Sequence, residues 1–260
     1  MAVSPLFLVV LAGCIFQQVQ ASSSHAGASM PPWTITASDA DRDLIPILDK
    51  MLRSGQQRIE KFFGHPFEKP FNVEIFPART KLDEYFKLRW QLPKTEGWMV
   101  ALGVADKLAI LTPRVWNAQA TEHDPKDQTH IQELVAHELV HVYHGQHNPT
   151  GDFEGMDDLG WFVEGLAVYV SGQLEHGHKH AAQIAIAKGK APTQLARAWS
   201  GPFRYGVSGS MVRFIDKRYG RDMLWKLLPE TKPDKVLNHL GLSEKDFLAA
   251  WRNAVTKDEP

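Results

Sequence analysis

Three rhythms of apolar and polar positions divide this chain. Residues 6–16 are eleven consecutive apolar positions, too short a run to cross a bilayer as a helix but of the length of a signal-peptide core. Between 39 and 63 the apolar residues Leu44, Ile47, Leu48, Met51, Leu52, Ile59, Phe62 and Phe63 recur at helical spacing, which predicts a helix with Pro46 tolerated near its start. Residues 71–76, rich in β-formers and bounded by Pro70 and Pro77, predict a strand. A further stretch, 97–112, predicts two strands around a turn. From residue 128 onward the period is helical almost throughout. The pattern therefore predicts an α+β fold, in which a small N-terminal mixed sheet with helices is followed by a helical C-terminal subdomain.

The leader is followed by Gln-Gln-Val-Gln-Ala at 17–21, which sets Val19 and Ala21 at the small positions that a signal peptidase reads. Residues 1–21 are expected to be a signal peptide, 22–36 a linker, and 37–260 the folded domain. Export to the periplasm or the extracellular space follows. Leu-Ala-Gly-Cys at 11–14 also resembles a bacterial lipobox, so a lipid anchor at Cys14 is the alternative fate, although no Lys or Arg precedes the apolar run. Cys14 is the only cysteine. The domain thus has no disulfide and no thiolate to offer a metal or a substrate. With 29 Lys and Arg against 30 Asp and Glu, the net charge of −1 provides no global field to draw nucleic acid or an anionic membrane.

Chemistry concentrates in His-Glu-Leu-Val-His at 137–141. On a helix, positions i and i+4 lie about 40° apart around the axis, so His137 and His141 project from one face and can share one metal ion. Glu138, about 100° from His137, stands beside that ion rather than on it, where it can take a proton from water. Thr129 with Gln132 reads as a capping box, and Gly145 as the helix stop. The third ligand has three candidates. His144 shares the face, but a rigid helix does not bend a third successive turn around one tetrahedral ion. His147 stands where metzincin proteases carry their third histidine, and Ser-Gly-Ser-Met at 208–211 could pass for their Met-turn, yet residue 144 is not the glycine that pattern requires. Glu164 is the third candidate.

Glu164 lies within Trp-Phe-Val-Glu-Gly-Leu-Ala-Val-Tyr at 161–169. That segment resembles the tryptophan–glutamate–glycine–alanine helix of gluzincin metallopeptidases, and the resemblance implies a zincin, thermolysin-like catalytic domain of the small single-domain peptidase MA-like group. It further implies one zinc ion held by His137, His141 and Glu164, with Glu138 as general base. Gly165 and Ala167 are expected to let the two metal helices approach closely. Tyr-Gly-Val-Ser-Gly-Ser-Met-Val-Arg-Phe-Ile at 205–215 is similar to the gluzincin segment that opens on a catalytic tyrosine, which implies an oxyanion donor in Tyr205. The likeness covers roughly 97–255.

The edge strand expected at 101–105 departs from the aminopeptidase pattern, because it has no carboxylate to hold a free amine. What remains is an apolar strand whose backbone can pair with an extended peptide. The expected activity is hydrolysis of peptide or protein substrates, and the alternative is a non-catalytic zincin-fold binding module. His176, His178 and His180 read as a solvated surface run, Asp157 and Asp158 as residues at a helix start, and most of the eight tryptophans as packing residues.

Overall fold

The computed structural model describes residues 31–91, 94–120 and 122–257. The signal peptide expected at 1–21 and Cys14 lie outside them. Residues 33–36, assigned above to the linker, are instead strand β1 (Trp33–Thr36). Their Trp-Thr-Ile-Thr sequence alternates buried and half-buried positions, which is the period of a strand with one covered face. A 3-10 turn at Asp39–Leu44 then leads into α1 (Ile45–Phe63). The single helix expected over 39–63 is thus divided just before Pro46, whose missing N–H and fixed φ suit a first turn.

Strand β2 (Phe71–Phe76) has the predicted bounds and is followed by α2 (Arg79–Trp90), a helix that the pattern did not announce. Strands β3 (Ala101–Val104) and β4 (Lys107–Leu111) form the expected hairpin. The sheet order is β1-β2-β4-β3, with β1, β2 and β4 parallel and β3 antiparallel to β4. Ala101 stands opposite Ile110 and Val104 opposite Lys107. Among the described residues β3 is therefore a free edge.

After the short α3 (Trp116–Gln119) the chain is helical, as α4 (Gln128–His147), α5 (Gly160–Ser171), α6 (Gln173–His176), α7 (Ala181–Ala187), α8 (Arg204–Tyr219), α9 (Arg221–Leu227), α10 (Pro233–Leu240) and α11 (Glu244–Lys257). Helix α4 links the two halves, packing on β3 and α1 on one side and on α5 on the other. Its contact with β3 needs Gly103, where a Cβ would come within 2.0 Å of the Glu138 carbonyl oxygen. No other residue allows the edge strand to lie so close to the His137–His141 turn. On the far side α5 packs against α8, and Gly165 serves that contact, since a Cβ there would meet the Ser208 carbonyl oxygen at 2.5 Å. Gly165 thus sets the α5–α8 distance rather than the expected α4–α5 approach. Trp251 of α11 completes the helical core and donates from Nε1 to Ser210 Oγ at 3.0 Å. No helix among the described residues is long and apolar enough to cross a membrane.

Candidate metal centre

Helix α4 is capped by Asp127, whose carboxylate accepts the His130 backbone N–H at 2.9 Å, and not by the expected Thr129–Gln132 box. Asp is as good an N-cap as Thr, and a cap at Asp127 rather than Thr129 adds two residues, about half a turn, before His137. Nor is Gly145 a stop. It lies within the helix, and a Cβ there would meet the Gly151 carbonyl oxygen at 2.5 Å and the Ala105 nitrogen at 2.7 Å. The glycine keeps α4 in contact with the β3–β4 turn and the following loop, while the helix runs on to His147.

His137 and His141 point their Nε2 atoms at one another, 3.1 Å apart. Glu164 of α5 brings Oε2 to 3.4 Å from the first and 3.6 Å from the second. The three residues form a group that could hold a metal ion. Ligand atoms about 2.0–2.1 Å from a tetrahedral ion lie about 3.3–3.4 Å from each other, so the observed triangle has the size that such an ion requires. His137 Nδ1 donates to Gln173 Oε1 at 2.8 Å, which turns Nε2 into the triangle, where the neutral ring would offer a metal its lone pair. Acceptor atoms this close repel one another, and a cation among them turns that repulsion into attraction.

The other candidate ligands lie elsewhere. His144 is fully buried and donates from Nε2 to the Leu228 carbonyl at 3.0 Å. Burial drives its pKa down to about 3, so it is a neutral structural imidazole. His147 packs against the rings of Tyr143 and Trp225, with Nδ1 3.3 Å from Glu68. Asp157 and Asp158 open the 3-10 turn Asp157–Leu159 that leads into α5.

Around the triangle the electrostatics divide the two glutamates. Burial opposes charge on Glu164, but the two imidazoles outweigh it and hold this carboxyl below its ordinary range. Burial pushes Glu138 up, against the pull of the same histidines, so its carboxylate is the more ready of the two to accept a proton. Both line a cavity of about 310 Å³ together with β3 residues Ala101 and Leu102. Tyr205, the first turn of α8, lines it too, its ring stacked on His178 with centroids 5.1 Å apart and edge-on to Trp199 at 4.8 Å. Burial raises the Tyr205 pKa, with Arg204 opposing and Glu164 and Glu138 adding, so the hydroxyl keeps its proton near neutrality.

Several residues of the site have no clear sequence signal. Gln173 begins α6 just beyond the α5 terminus, and nothing in its neighbourhood marks it as a partner of His137. His178 belongs to the run read as solvated. His176 does meet Glu133 and His180 meets Gln183 on the outside, but His178 turns into the cavity. His123 accepts at Nδ1 from His130 Nε2 at 2.9 Å and donates from Nε2 to the Trp98 carbonyl at 2.8 Å, which ties the approach to β3 onto the start of α4. Comparison with protein-family models and with curated proteins finds no match for the chain. The site therefore stands on its own geometry.

Proposed function

We propose that this chain is a zinc-dependent peptidase of the gluzincin type, with a thermolysin-like zincin domain, that hydrolyses peptide bonds. The observation that carries the reading is the convergence of His137, His141 and Glu164 to within 3.1–3.6 Å beside a separate, proton-accepting Glu138. Zinc bound by the three would supply a Lewis acid and bring the pKa of water toward about 7. Glu138 takes the proton from that water and returns it to the leaving amine. The Tyr205 hydroxyl, protonated at working pH, donates to the oxyanion that develops on the scissile carbonyl. Gln173 fixes the His137 tautomer throughout. An extended substrate pairs with the free edge of β3, whose Ala101 and Leu102 form one wall of the cavity. The leader at 1–21 supports an exported enzyme.

Glu138→Gln tests the reading, because the amide preserves the shape of the site and removes the base. The variant is expected to bind one equivalent of zinc while losing at least about 100-fold in the rate of cleavage of a peptide library read by mass spectrometry. Wild-type protein that binds zinc and cleaves nothing in the library would leave a binding module in place of a peptidase.

A further inference from the structure

Arg204, the first residue of α8, is half-buried where three cavity-lining rings meet. Its guanidinium carbon is 5.4 Å from the ring centre of Trp98, 5.5 Å from that of Trp199 and 5.2 Å from that of Tyr205. Rings engage the guanidinium through its flat faces, which leaves the N–H groups at its edge in need of acceptors. The Tyr205 hydroxyl serves as one such acceptor, and among the described residues no carboxylate serves as another. Nε is buried without a hydrogen-bond partner, and among the described residues Arg204 makes no ion pair. Arg89, Arg114 and Arg221 each have a carboxylate within 3.0 Å. A guanidinium stays charged at any working pH, and its fork of donors matches a carboxylate.

We infer that Arg204 is a specificity residue that receives a substrate carboxylate, either the C-terminus of a peptide or an acidic side chain next to the scissile bond. The inference rests on the peptidase reading of the cavity. The three rings against the guanidinium line the same cavity as His137, Glu138, His141 and Glu164, so a carboxylate held by the arginine is close to the reacting bond. Trp98 and Trp199 flank the cation and shield it from water, which strengthens its attraction for an anion.

The test is calorimetric titration of zinc-loaded Glu138→Gln protein with N-acetylated peptides in matched sets. One arm compares a free C-terminal acid with its amide, and the other compares internal Asp with Asn in C-terminal amides. The acid member of at least one arm is expected to bind about 10- to 100-fold tighter, and the arm that responds identifies the source of the carboxylate. Adding Arg204→Gln should abolish that preference, while Arg204→Lys, which keeps the cation, should retain part of it. Equal binding of acidic and neutral peptides overturns the assignment while leaving the peptidase reading intact. A preference that survives Arg204→Gln overturns it equally, because the carboxylate is then held by the metal. Failure of every peptide to bind overturns the substrate reading along with it.

Discussion

His137 and His141 stand one turn apart on the same helix and are held in place by opposite means. Around His137 the support is directional: the Gln173 carbonyl takes the Nδ1 proton and thereby fixes both ring angle and tautomer. Around His141 the support is packing. Its Nδ1 is buried without a hydrogen-bond partner among the described residues, and its ring lies edge-on to Phe153 at 5.9 Å. Phe153 also packs on His144 at 4.9 Å and has a backbone φ of 64°, a left-handed conformation unusual for an aromatic residue. One imidazole is thus set by a hydrogen bond, and the other by a strained loop residue wedged between His141 and His144. Strain of this kind persists where surrounding contacts over-determine it, and here they do so beside the metal group.

The largest effects should ignore this difference. Glu164→Ala, His137→Ala and His141→Ala each remove one corner of the triangle, and each should weaken zinc binding by more than the loss of any supporting residue. Gln173→Ala should cost about 10- to 100-fold in zinc affinity, as loss of a ligand's hydrogen-bond partner does, whereas Phe153→Ala should cost less. Competition against a chromophoric chelator measures all five. Equal losses for Gln173→Ala and Phe153→Ala would erase the distinction.

Acid should separate the two sides next. His144 has a folded pKa of about 3 against 6.5 as its ordinary value, so the unfolded chain takes up the proton first. Its contribution is complete above about pH 6.5 and is lost as pH falls toward 3, at up to about 1.4 kcal/mol per pH unit. Urea unfolding of zinc-free protein between pH 7 and 4 should show this slope, and His144→Gln should flatten it. An unchanged slope in the variant would place the acid sensitivity elsewhere. The smallest effect concerns Phe153 itself: Phe153→Gly relieves the backbone that Phe153→Ala leaves strained, so in thermal unfolding the glycine variant should be the more stable by about 1 kcal/mol.

The same contrast explains how much was legible in the sequence. Helical period carries geometry within one element, so the shared face of His137 and His141, and the offset of Glu138, followed from spacing alone. Glu164 came from a segment resemblance, and the structure brings it to the two histidines. Contacts between elements leave no such trace. Gln173 reaches His137 only because the chain breaks after Ser171 and restarts as α6. Gly145 reads as a local stop and Gly165 as the spacer between α4 and α5, yet Gly145 admits the Ala105 and Gly151 backbone and Gly165 admits that of Ser208. Trp33–Thr36 carries little strand signal of its own, because two prolines and a Ser/Ala stretch precede four residues whose strand character depends on pairing with β2. His178 reads as surface in company with His176 and His180, and only the fold turns it inward.

Anomalous diffraction at the zinc edge, from crystals grown with one equivalent of zinc, tests the central claim most directly. The account predicts a single strong peak about 2.0–2.2 Å from His137 Nε2, His141 Nε2 and a Glu164 carboxylate oxygen, with Glu138 unligated. A peak coordinated by His147, or none at the α4–α5 contact, would contradict it.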